Sequence, residues 1–218
     1  GNRAGSGENA GAVYNNASNG GTSSPRILES VFVGNVAGEH GGAIWNKGGS
    51  ASTSTPLIAS TVFLNNKSEG DFGGAIYNSD DGTNPVIVNA TLTRNTAGSD
   101  GAGIYNDTNS NATVANSILW NNTVSGNTKD IAADGSMTIT TSIFEKVDDS
   151  SADVTTSDTL DVNPGFSNAG VPAGADGTYA TVDDGINLAP DSPALDAGKT
   201  TELPQDVGAD VTGTDRTQ

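Results

Sequence analysis

The sequence predicts an all-β fold, a right-handed parallel β-helix, and three observations carry that expectation. A four-residue word recurs as Ala12-Val13-Tyr14-Asn15, Ala43-Ile44-Trp45-Asn46, Ala75-Ile76-Tyr77-Asn78 and Gly103-Ile104-Tyr105-Asn106, its asparagines 31, 32 and 28 residues apart. A second word alternates with it, a large apolar residue followed three positions later by asparagine: Phe32/Asn35, Phe63/Asn66, Leu92/Asn95 and Leu119/Asn122. The segments between turns are short, β-branched and bounded by Gly, Asn, Ser and Asp, which is the composition of brief strands. A fixed period of about 20–50 residues marks a solenoid, whose turns bury their core face only against one another.

The parts of one turn follow from these columns. Five residues before each apolar anchor stand Ile27, Ile58, Ile87, Val114 and Ile139, and two before it the small residues Ser30, Thr61, Ala90, Ser117 and Ser142. Phe144 continues the anchor column but has Val147 where asparagine is expected. A rung of 28–32 residues accommodates three short strands and three turns. Parallel strands lie about 4.8 Å apart, so equivalent side chains stack as ladders. Ile44, Ile76 and Ile104 form an apolar ladder inside, and Asn46, Asn78 and Asn106 an amide ladder. Gly11, Gly42 and Gly74 precede the first word, at corners where a Cβ would clash. Leucine-rich repeats need a Leu-x-x-Leu-x-Leu framework that is absent, and no stretch sustains a helical apolar period.

The rungs are expected over residues 1–146, with the first one truncated. Asn2-Arg3-Ala4-Gly5 matches Asn35-Val36-Ala37-Gly38, so residue 1 falls mid-rung and the chain is expected to be part of a longer one. An open solenoid edge is also a surface for end-to-end self-association. Residues 147–218 are expected to form irregular rungs and loops of the same domain, because the columns loosen after Glu145.

Composition narrows the class. The chain has 218 residues, 33% hydrophobic, no cysteine and a net charge of −17, of which −14 lies in residues 130–218. Without cysteine there is no disulfide and no thiolate chemistry. Without a basic stripe, nucleic acid is excluded as an expected partner, since nothing would neutralise its phosphates.

Beyond the rungs the chain carries Asn163-Pro164-Gly165-Phe166, an Asp176-Gly177 pair followed by Val182-Asp183-Asp184-Gly185, and Ser192-Pro193-Ala194-Leu195-Asp196-Ala197-Gly198. With the Gly-Gly-Ala-Ile-Tyr-Asn rungs, these elements resemble bacterial right-handed parallel β-helix surface proteins. Those are secreted proteins with interchangeable C-terminal anchors, similar in repeat style to polymorphic outer-membrane adhesins. Asp210-Val211-Thr212-Gly213-Thr214-Asp215-Arg216 matches the Asp-x-x-Gly-x-x-Arg segment of that family. The resemblance implies export and an extracellular or cell-surface location; it is specific for fold and says little about activity.

Two sets of residues are candidate sites. Asp176, Asp183 and Asp184, flanked by glycines, offer oxygen ligands of the kind Ca²⁺ takes, or else serve as Asx-turns that close a loop. The aromatic column Tyr14, Trp45, Tyr77 and Tyr105 follows the core-facing column by one position, so strand alternation points it outward. It suits a sugar ring or a partner protein, unless the adjoining loops of unequal length fold over it. An enzyme of this fold needs paired carboxylates or a basic residue with Ca²⁺. The sequence offers an adjacent pair, Asp80-Asp81, whose side chains are expected to diverge, and one histidine, His40, expected to be a solvated turn residue. The expected function is a non-catalytic extracellular module, an adhesin stalk, passenger or surface-fibre component, that binds glycan or protein. The alternative is a fragment of a polysaccharide lyase or glycoside hydrolase.

Overall fold

The computed structural model describes residues 1–148, 154–204 and 207–213. Its short strands stack turn upon turn into a β-solenoid of about five turns, with a single 3-10 turn at Thr200–Glu202 as its only helical element among the described residues.

Each turn carries three strands of the expected kind, and the first four turns add a fourth of two residues. The first face holds Val13–Asn16, Ile44–Lys47, Ile76–Ser79, Ile104–Asn106, Ile131–Ala133 and Val147–Asp148. The second holds Arg26–Leu28, Leu57–Ala59, Val86–Val88, Asn111–Ala115, Ser136–Thr140 and Val154–Ser157. The third holds Val31–Val33, Val62–Leu64, Thr91–Thr93, Ile118–Trp120 and Ile143–Phe144. The two-residue strands Val36–Ala37, Lys67–Ser68, Thr96–Ala97 and Thr123–Val124 close the first four turns. Pairing between turns is parallel and keeps the register of the repeated words: Val13, Ile44, Ile76, Ile104 and Ile131 align, as do Ile27, Ile58, Ile87, Val114 and Ile139. Phe32, Phe63, Leu92, Leu119 and Phe144 form the third column, and the three columns meet in one core.

The corners explain why the period holds. Between the second and third faces Glu29, Ser60, Asn89, Asn116 and Thr141 all adopt positive φ, and the small residue that follows turns its hydroxyl back in four of the five (Ser30, Thr61, Ser117 and Ser142), as Ser117 Oγ does to the Ala115 carbonyl at 2.7 Å. Between the third face and the closing strands Gly34, Asn65, Arg94 and Asn121 do the same. At the corner leading into the first face, Gly41, Gly73 and Gly101 have positive φ, and after the first two the next residue, Gly42 or Gly74, has no room for a side chain, whereas the turn after Gly101 accommodates Ala102. A Cβ on Gly42 would meet the Gly74 carbonyl oxygen at 2.0 Å.

The last part of the chain combines a short extension of the stack with a long loop-rich segment. Val154–Ser157 and the Ile143–Leu160 bridge still extend the stack. Beyond them the chain folds back along the outside of the solenoid. Phe166, Tyr179, Ile186 and Val211 pack on Val31, Val33, Val62 and Leu64, while Leu203 and Val207 pack on Leu28, Leu57, Ala59, Val88 and Ala115. Lys199 and Asn116 exchange two hydrogen bonds of 2.9 Å, and Ser60 Oγ donates to the Ala209 carbonyl at 2.9 Å. This strap exists because the strands beneath it, Leu-Ile-Ala at 57–59, Val-Phe-Leu at 62–64 and Val-Ile-Val at 86–88, are apolar on both sides and need cover. The Asp210–Arg216 segment singled out above lies in part outside the described residues.

Gly42→Ala is expected to destabilise the fold by about 2–3 kcal/mol, because a methyl there is forced against backbone. Gly208→Ala, where nothing lies within 4 Å of the added carbon, should stay within about 0.5 kcal/mol of the parent. Urea unfolding of the two variants checks this, and equal midpoints would refute the corner argument.

Candidate functional site

The first face presents two ladders on opposite sides of the same strands. Inside, Asn15 Nδ2 donates to Asn46 Oδ1, Asn46 to Asn78 at 2.8 Å, and Asn78 to Asn106 at 3.4 Å, as the spacing predicted. Asn106 Nδ2 ends the series on the carbonyls of Ser110 and Ser136. Outside, Tyr14, Trp45, Tyr77 and Tyr105 align in register and stack, with ring centroids 4.5, 6.0 and 5.8 Å apart down the column.

The four rings do not share one environment. Tyr14 is 47% exposed and Trp45 half-buried, whereas Tyr77 and Tyr105 are each 6% exposed. The unequal loops are not the main cover. They stack on one another at their own edge, through Thr22–Ser23 on Thr53–Ser54 and Ser54 on Thr83. The cover comes from the preceding corner: Phe72 stacks on Tyr105 at 4.2 Å, and His40 on Tyr77 at 4.6 Å. The buried phenols donate to Asp107 Oδ2 (Tyr77, 2.8 Å) and to Asp134 Oδ2 (Tyr105). Burial first, and those carboxylates second, push both hydroxyls well above the ordinary tyrosine range, so they are donors at any physiological pH. An accessible platform is left at Tyr14 and Trp45. Trp45 Nε1 donates to Ser79 Oγ at 2.8 Å, and the Lys47 ammonium sits 5.1 Å from the indole centroid.

His40 is therefore not the solvated turn residue expected. It is half-buried in the aromatic cluster, parallel to Phe72 at 5.7 Å, and its Nδ1 accepts the Phe72 N–H at 3.4 Å. In the Asp80-Asp81 pair the Asp80 carboxylate lies 3.7 Å from the Lys47 ammonium, and the Asp81 carbonyl accepts the Gly49 N–H.

Asp176, Asp183 and Asp184 lie together in one loop, and each carboxylate accepts hydrogen bonds within it. Asp183 takes the Ala175 N–H at 2.7 Å and the Thr181 hydroxyl at 2.9 Å, Asp184 the Ala180 N–H at 2.9 Å, and Asp176 the Thr178 N–H at 2.7 Å. The Thr181 hydroxyl first, and then the Ala175 and Asp176 N–H groups, hold the Asp183 carboxyl below its usual range. This is the bonding of a closed Asx-type loop.

A second asparagine ladder runs through the closing corner, and its end was missed. Asn2, Asn35, Asn66, Asn95 and Asn122 each donate both a backbone N–H and Nδ2 to the next side chain; the last step is to Asp130 Oδ1, at 3.1 and 2.7 Å. Asp130 is fully buried, and its other oxygen accepts Glu145 N–H at 2.9 Å. The hairpin pairing Thr123–Val124 with Asn127–Thr128 brings it there, filling the ladder one turn before Val147 stands in place of asparagine. The only sequence signal was that irregularity. Burial pushes the Asp130 carboxyl up to about 6, against the bonds from Asn122 and Glu145.

In class this is a parallel β-solenoid whose repeated geometry lies in corners and ladders. Residues 29–47 and 60–79 match the Chlamydia polymorphic membrane protein (Chlamydia_PMP) repeat. No curated protein and no solved structure matches the chain. The two matched segments run from the Glu29 and Ser60 corners, through Phe32–Asn35 and Phe63–Asn66, to Ile44–Asn46 and Ile76–Asn78. They hold the residues that turn the chain and build both ladders. In these two repeats the chain is similar to a repeat of bacterial surface or outer-membrane proteins.

Asp130 sets a pH dependence. Its folded pKa lies above the unfolded one, so the protein gains stability from this group below about pH 4 and loses it as pH rises towards 6. The rise from 3.8 to about 6 corresponds to roughly 3 kcal/mol. Asp130→Asn should flatten the stability difference between pH 4 and pH 6, as read by chemical denaturation at each pH. An unchanged profile in the variant would remove Asp130 as the cause.

Proposed function

We propose that this chain is a rigid, non-catalytic module of a bacterial surface protein, displayed outside the cell, that offers Tyr14 and Trp45 as a stacking platform for a neutral glycan. The observation that carries this reading is the coincidence of the repeat match with the stack-building residues. The pattern is one of shape, repeated turn after turn, as in a stalk or passenger segment. Support for the glycan comes from the Tyr14 ring, exposed and backed by Trp45 stacked on it at 4.5 Å, with one cation beside the indole. Aromatic faces of this kind stack on the apolar face of a sugar, and Lys47 discourages cationic ligands.

The test is a panel of plant, algal and bacterial polysaccharides incubated with the purified chain, with and without Ca²⁺, scored for both binding and turnover. Binding without turnover is the expected result. Trp45→Ala should weaken it by about 1–3 kcal/mol, the range of an aromatic anchor, while the circular dichroism of the solenoid is unchanged. Turnover that disappears on replacing Asp80 and Asp81, or His40, would overturn the proposal in favour of a lyase or glycoside hydrolase.

A further inference from the structure

The corner that leads into the aromatic face stacks acids in successive turns. Glu39 N–H donates to the Glu8 carbonyl and Asp71 N–H to the Glu39 carbonyl, both at 3.1 Å, so Glu8, Glu39 and Asp71 form one column. Like charges stacked across paired strands repel. Among the described residues neither Glu39 nor Asp71 has a basic partner; Arg3 and Lys67, from the same region, both go to Glu69. Beside this column lies His40, and the ligand-capable atoms of Glu39, His40 and Asp71 are all within 4.8 Å of one another.

We propose that Glu39, His40 and Asp71 form a binding site for a divalent transition metal of the Zn²⁺ type, clipping two consecutive turns together. One imidazole nitrogen and two carboxylate oxygens make a mixed donor set that suits Zn²⁺, with water in the fourth position of a tetrahedron. Ca²⁺ and Mg²⁺ demand six or more oxygens, and are disfavoured by a ring nitrogen. The ligands are already oriented. His40 is held by its stacking on Tyr77 and Phe72, and its Nδ1 lone pair faces the next turn, where it meets the Phe72 N–H at 3.4 Å. That is a long, weak bond, which a metal taking the lone pair would displace. Asp71 Oδ1 accepts the Ser99 hydroxyl at 3.0 Å, an outer contact that fixes the carboxylate and leaves its second oxygen for the ion. A bound cation cancels the repulsion in the column and ties Glu39 and His40 of one turn to Asp71 of the next.

The experiment is calorimetric titration of the metal-stripped chain with ZnCl₂, and separately with CaCl₂ and MgCl₂, together with thermal melting in each salt. One Zn²⁺ per chain and a raised melting temperature are expected, with Ca²⁺ and Mg²⁺ unable to compete at equal concentration. Asp71→Asn and Glu39→Gln should each weaken Zn²⁺ binding at least about tenfold. His40→Gln should abolish the visible bands given by Co²⁺ bound in place of Zn²⁺. His40 also supports the aromatic cluster, so Asp71→Asn is the deciding variant, with its fold checked by circular dichroism. Zn²⁺ binding that is absent at millimolar metal, or that is unchanged in Asp71→Asn, overturns the proposal.

Discussion

The first four turns of this solenoid carry side-chain amides into the interior, and the register of the stack depends on satisfying them. A buried amide left without partners costs about 1–3 kcal/mol. Asn66 avoids that cost by accepting from Asn35 at Oδ1 and donating from Nδ2 to both Asn95 and the Phe32 carbonyl. Those partners exist only when Asn35, Asn66 and Asn95 lie one above another. A slip of one residue in any turn would bury an unpaired amide as well as displace an isoleucine. The apolar columns supply most of the burial, and the asparagines make it specific to one alignment.

Both ladders are directional. Each amide gives its hydrogen to the turn that follows, so each ladder needs an acceptor without a hydrogen of its own at the far end. Backbone carbonyls of Ser110 and Ser136 do this on the first face, and the carboxylate of Asp130 does it at the closing corner. The aligned amides present their positive ends to Asp130, which is why a carboxylate is tolerated at a fully buried position. Its desolvation still outweighs the bonds it receives. On the outer side of the first face the same register places four aromatic rings in a column. Half of that column is sealed by Phe72 and His40 and serves as a second, smaller core, while the half at Tyr14 and Trp45 stays open.

Much of this was legible in the sequence because a solenoid writes its contacts at a fixed spacing. The three core columns, the Asn46–Asn78–Asn106 ladder and the glycine corner each follow from residues about 30 positions apart. The fates of Tyr77, Tyr105 and His40 were not legible, since the position before the corner glycine holds His40, Phe72 and Asp100 in successive turns, a column with no common side chain. Asp130 was hidden for the same reason: a hairpin peculiar to one turn delivers it. Asp176, Asp183 and Asp184 were seen as a group, but the sequence could not tell how many loop amides each carboxylate would collect. The strap went unrecognised although its cause was visible, in strands such as Val62–Leu64 that are apolar without alternation.

That strap changes how the molecule comes apart and how it is assembled. A bare stack of turns resembles a one-dimensional chain of neighbours, free to fray from either end. Here Lys199 reaches Asn116 across 83 residues and Ala209 reaches Ser60 across 149, so the chain's later part grips turns made long before it. The ends are thereby coupled to the middle, and loss of one turn strips cover from several others. The turns can form in order as the chain emerges, whereas the closing contacts wait for the last segment and bear a high loop-closure entropy. The molecule is thus built as a ratchet with a late latch: unfinished, it exposes apolar outer faces that invite association, and finished, it resists unzipping as a unit.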